Sequence, residues 1–165
     1  MANTWNAITN LTLSSAQGSV TFVVSSTYRD LRLIINATTS TALGAGIVIN
    51  GDATNASYSW VQAASDTGTA SYSNTGTGSS NALQLAPNWN FSTTQPNLFT
   101  VEFLDYAQTD KHKIILWRGN TTATGVNALV ARWANTAAIS AVTLTVNGGG
   151  TWAAGSTFAL YGIAG

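Results

Sequence analysis

Residues 136–165 read TAAISAVTLTVNGGGTWAAGSTFALYGIAG, and the alternation inside this stretch decides the fold class. Val142, Leu144 and Val146 alternate with Thr143, Thr145 and Asn147. That puts apolar side chains on one face of an extended chain and hydroxyl or amide groups on the other, the period-two pattern of a half-buried strand. Gly148, Gly149 and Gly150 are turn-forming and end it. A small-residue loop, Ala153 to Ser156, leads to a closing strand in which Phe158 and Leu160 point to one side and Tyr161 and Ile163 to the other. The two runs read as a closing hairpin, and its last strand needs sheet partners upstream.

Those partners are found by the same reading. Trp5 to Leu13 is a broken alternation, Val20 to Val24 a short apolar run, and Leu31, Leu33 and Ile35 alternate with Arg32, Ile34 and Asn36 as a strand buried fully on one side. Ile47 to Ile49 runs into Asn50, Gly51 and Asp52; Asn-Gly tolerates the positive φ of a two-residue turn, so Tyr58 to Val61 is expected to return as the second strand of a hairpin. Between Ala63 and Asn81 no bulky aliphatic occurs, and this stretch reads as one long exposed loop around Tyr72. Strands resume at Ala82 to Leu85, at Phe99, Val101 and Phe103, at Ile114 to Trp117 and at Leu129 to Trp133. About nine to eleven short strands with no helix-period segment predict an all-β fold, an antiparallel β-sandwich of jelly-roll type. A single domain is expected to span residues 1–165, long enough to bury a core without staples.

Charge narrows the partners. Six basic and six acidic side chains cancel, and only 7% of residues are charged, so there is no electrostatic footprint for nucleic acid and no basic face for an anionic membrane. Thr, Ser and Asn supply about a third of the chain and carry its solubility, while a net charge near zero favours association. With 45% hydrophobic residues and six Trp, the chain folds rather than remaining disordered. It has no cysteine, which removes disulfides and thiolate metal sites. MANTWNAITN lacks the basic and apolar regions of a signal peptide, so synthesis in a host cytoplasm is expected.

The residues that chemistry would need are sparse. His112 is the only histidine; it lies between lysines 111 and 113 in what reads as a solvated turn, and no Gly-x-Ser-x-Gly elbow accompanies it. Glu102 and Asp105, three apart on a strand, project to opposite faces and cannot flank one glycosidic bond; Asp105 is expected to cap a turn before Tyr106. Asn50, Asp52 and Asn55 lack the remaining ligands of a calcium loop, and the Gly76–Gly78 and Gly148–Gly150 stretches lack the Lys and helix of a phosphate cradle. The expectation is no enzyme activity, no cofactor and no metal. The five Asn-x-Ser/Thr sequons match what a hydroxyl-rich composition produces by chance. Trp60, Tyr72, Trp89, Trp117 and Trp152 together could make a sugar-stacking platform, although most of them fit a core. Tyr72, Trp89 and Asn90, in polar, loop-like surroundings, are the candidate surface contacts.

One resemblance emerges from these residues. Ala154-Gly155-Ser156-Thr157 followed by Leu160-Tyr161-Gly162-Ile163, preceded by Ala138-Ile139-Ser140-Ala141-Val142, resembles the C-terminal hairpin of small β-sandwich modules in tailed-phage virion proteins. Tyr28 to Asn36, the Ile49-Asn50-Gly51-Asp52 turn, and Asp105-Tyr106 with Lys111 and Lys113 fit the same likeness, which covers most of the chain; the Thr/Asn-rich middle departs from it. The resemblance implies a non-enzymatic bacteriophage structural protein located in the virion. With zero net charge and an apolar strand set, it also implies self-association, as a homotrimer. Because residues 1–165 are expected to be consumed by one sandwich with no stem, a capsid decoration or cement protein is favoured over a tail-fibre or baseplate module that binds host surface glycan. Phage capsid or tail proteins are the expected partners in either case.

Overall fold

In the computed structural model, which describes residues 4–66, 71–78, 82–85, 91–122 and 125–164, the period-two segments become strands. The larger sheet is antiparallel, in the order β1 (Trp5–Thr12), β12 (Thr157–Ile163), β3 (Asp30–Ala37), β8 (Asn97–Leu104), β9 (Lys113–Thr121), β10 (Gly125–Trp133), β5 (Tyr58–Asp66) and β6 (Ser71–Thr77). The smaller runs β2 (Ser19–Val23), β11 (Ala141–Val146), β4 (Ala45–Ile49) and β7 (Leu83–Gln84).

Four nested pairs define the roll: β1 with β12, β2 with β11, β3 with β8 and β4 with β7. Folding one long hairpin over so that successive pairs fall alternately in the two sheets is the jelly-roll path. Two hairpins, β5–β6 and β9–β10, are inserted into it, and both add to the same edge of the larger sheet beyond β8. The twelve strands of the described residues therefore exceed the sequence expectation.

Alternation sets what each face meets. Leu31, Leu33 and Ile35 of β3, Phe99, Val101 and Phe103 of β8 and Val142 and Leu144 of β11 are all at 0% exposure, while their odd-numbered or even-numbered neighbours face outward. Burying one such side chain is worth about 1.5–3 kcal/mol, so the shared core between the sheets holds them together. At its centre Trp152 meets Phe158 and Phe91 edge-on, at 5.4 and 6.1 Å between ring centroids.

Three expectations are corrected. The final two strands are not a hairpin: β11 belongs to the smaller sheet and β12 to the larger, and the glycine-rich connection crosses between them. Trp152 pins that crossing through bridges to Gln17 and Thr39. The Asn50–Gly51 turn forms as expected, with φ of 51° and 74° and Asp52 N–H donating to Ile49 O at 2.8 Å. Its flanking strands, however, lie in different sheets, because β5 departs to pair with β10. Finally, residues 63–81 are not one loop. β5 continues to Asp66, and Ser71–Thr77 forms β6, pairing Ser59 with Thr77 and Ala64 with Tyr72. An edge strand buries little, so it needs backbone partners more than apolar side chains.

Gly162, the glycine of the closing Leu160–Ile163 run, has a steric cause. A Cβ there would lie 2.2 Å from the Tyr28 ring, which packs flat on the β12 backbone.

Candidate interaction surface

The inserted hairpins widen the larger sheet, and their outward residues make a surface. Since side chains alternate, the face of β9, β10 and β5 away from the core carries Ile114, Leu116, Ala128, Val130, Val61 and Ala63. Val130 stands directly opposite Leu116 on one side and Val61 on the other, and the same row continues to Glu102 and Thr75. Ile114 and Val61 are each 48% exposed, Val130 46% and Val126 58%. Four β-branched side chains left this open on adjacent strands form a contiguous apolar patch, unlike the single scattered apolar residues that surfaces normally show.

The patch is hollow. Twist and the small side chains of Ala63 and Ala128 leave a trough of about 420 Å³ spanning β8 to β6. A second concavity of about 450 Å³, bordered by His112, Ile114, Trp60 and Arg132, shares Val61 and Val130 with it.

Charge is confined to one margin. Glu102 accepts from Arg32 at 2.5 Å and lies 3.6 Å from Arg118, whose side chain is 71% exposed. Arg32 in turn stacks 3.9 Å over the Trp5 ring, which is tilted against Tyr161 at 5.8 Å. A cation sandwiched between an aromatic face and a carboxylate is held in place by both.

The sequence candidates fare differently. Trp89 and Asn90 lie outside the described residues, and Tyr72 is placed on β6 by its backbone alone. The five-aromatic sugar platform does not assemble: Trp152 is at 0% and Trp117 at 3% exposure, inside the core, and Trp60 donates from Nε1 to Thr77 O at 2.9 Å. Asn50, Gly51 and Asp52 are structural. Asn50 Oδ1 accepts from the Ser140 and Ala141 amides at 2.8 and 3.0 Å, stapling the turn to the approach of β11. Gly148 and Gly149 adopt φ of 65° and 75° in the turn expected of them, and Gly150 is buried behind it. In the closing strand Phe158, Leu160 and Ile163 are buried and Tyr161 looks outward beside Trp5.

The reading of a solvated Lys-His-Lys turn is corrected at Lys113, which is 1% exposed. Its ammonium donates to the carbonyls of Gln108, Lys111 and Thr136 at 2.5, 3.1 and 3.0 Å. Burial draws its pKa below the ordinary lysine value. Lys111 alone keeps the expected exposed role, donating to Asp105 Oδ2 at 2.9 Å; that bond holds the Asp105 carboxyl below the usual range. Asp105 itself begins the turn, at a φ of 46°.

Sequence reading missed the trough because each of its strands looks ordinary alone. The one available signal was a run such as Lys113–Trp117, apolar on both parities where a half-buried strand alternates. Among the described residues no three His, Cys, Asp or Glu side chains gather. No protein family, curated protein or solved structure matches this chain.

Proposed function

We propose that this protein is a non-catalytic structural subunit of a bacteriophage virion, bound in many copies to the capsid surface as a decoration or cement protein and acting as a homo-oligomer. The observation that carries the reading is the open apolar face of β9, β10 and β5, where Val61, Ile114, Val126 and Val130 stay about half exposed. Surfaces of that kind are made for protein contact. The trough is apolar rather than lined by convergent amides and hydroxyls, which favours a protein partner over a host glycan. A neutral chain with few charges supports association in the same way, and individually weak contacts multiply through avidity when many copies sit on a lattice.

Quantitative mass spectrometry of purified particles tests this. High copy number relative to the major coat protein is expected. A handful of copies, lost together with host adsorption, would move the protein to the tail; absence from particles would overturn the virion reading.

A further inference from the structure

The trough and the opposite margin of the same sheet differ in shape. We infer that the trough seats the β1 edge of a second copy of this chain, and that three copies close into a ring. This deepens the self-associating reading above and rests on it.

Area comes first. Five strands, β8 to β6, at about 4.8 Å spacing and nine residues of about 3.3 Å rise make a face of roughly 700 Å², close to the roughly 800 Å² that each partner contributes to a stable interface. The face is thus large enough for a whole subunit rather than a short peptide.

Shape then decides the symmetry. Two hollows laid on each other by a twofold axis would leave a void, and the side chains lining it would lose their contacts. A hollow needs a projection, and among the described residues Trp5 is the only aromatic side chain left substantially open, at 44%. It stands on the β1 edge, five strand spacings or about 24 Å from β10, too far to fill its own trough. Knob and hollow on different margins define a head-to-tail contact, which closes as a ring or runs on as a filament. Three is the smallest such ring.

Charge agrees. The β1 sequence, WNAITNLT, is uncharged, so its insertion brings no like charge against Arg118 and buries no unpaired ion.

Sedimentation velocity at micromolar concentration should show a trimer. Val130→Asp, at a site outside the core, should give a monomer with unchanged far-ultraviolet circular dichroism, and Trp5→Ala should weaken the trimer by roughly 30-fold, as loss of an interface hot spot does. The chain has no cysteine, so oxidation of the Asn6→Cys/Ala63→Cys double variant reports the seating independently of any charge-induced misfolding. A covalent ladder ending at three chains is expected. A wild-type monomer, dimer or open polymer, or a trimer that does not cross-link, overturns the proposal. A cross-linked trimer absent from particles leaves the ring standing and overturns the virion reading; a monomer abundant on particles does the reverse.

Discussion

Trp133 Nε1 donates to Asp52 Oδ2 at 2.8 Å, joining β10 of the larger sheet to the tight turn that ends β4 of the smaller. Burial pushes the Asp52 carboxyl up, but the hydrogen bonds from Trp133, Thr54 and Ser57 together outweigh it and hold the pKa below the ordinary value. Asp52→Ala, which removes the acceptor and leaves the indole N–H unpaired, should cost about 1–3 kcal/mol in urea unfolding at neutral pH. A depressed carboxylate stabilises the fold above its unfolded pKa of about 3.9 and ceases to as pH falls through the folded value. Wild type should therefore lose more stability between pH 5 and 3 than Asp52→Asn; equal losses would contradict the assignment.

Tyr58 reports the alkaline side. Its hydroxyl accepts from Ile49 N–H at 3.1 Å and donates to Asp52 O at 2.7 Å, and burial pushes its pKa up to about 12. A raised phenol stabilises the fold fully below its unfolded pKa of about 10, and that contribution fades as pH rises towards the folded value. Melting curves should show wild type losing stability between pH 10 and 12, with Tyr58→Phe, weaker at neutral pH by about 1–3 kcal/mol, losing less over that window.

Lys113 is the sole donor recorded to the carbonyls of Gln108 and Lys111 and also reaches Thr136. Lys113→Met keeps the aliphatic stem but strands those acceptors, and a loss of about 1–3 kcal/mol is expected from chemical denaturation. Lys111→Met, at an exposed ion pair, should change stability by less than about 1 kcal/mol. The reverse ranking would restore the solvated-turn reading.

Gln62 and Asn127, on neighbouring strands and at 1% and 5% exposure, have no hydrogen-bond partner for either end of their amides. Replacing a buried, unpaired polar group by an apolar one of similar shape is neutral or stabilising. Gln62→Met should raise the melting temperature, by a few degrees for a gain of about 1 kcal/mol. A fall of similar size would mean that these amides hold ordered water.

Gly162→Val should be the most damaging single change in the closing strand. A side chain there meets the Tyr28 ring at 2.2 Å, and overpacking of this kind costs about 1–3 kcal/mol or more. Paired Gly162→Ala and Tyr28→Ala should be less destabilising than the sum of the two singles, which a double-mutant cycle measures.

Residue by residue, much of this protein was legible before folding. The alternations at Leu31–Ile35, Phe99–Phe103 and Val142–Val146 specified strands buried on one face, because period-two sterics and burial are local properties of the chain. The Asn50–Gly51 turn was equally local, since only a residue pair tolerant of positive φ closes it. Partnering was not local. Whether β11 and β12 pair with each other or cross between sheets depends on which distant strands lie beside them, and nested pairing of β1 with β12 decided that. The same holds for β6, whose polar sequence looked like loop until β5 supplied its backbone partners. Lys113 looked solvated until the carbonyl of Thr136, remote in sequence, arrived beside its ammonium. The apolar trough exists only because registry sets Leu116, Val130 and Val61 in one row across three strands, and registry is a property of the assembled sheet, where backbone hydrogen bonds between distant segments align side chains that no single segment can align.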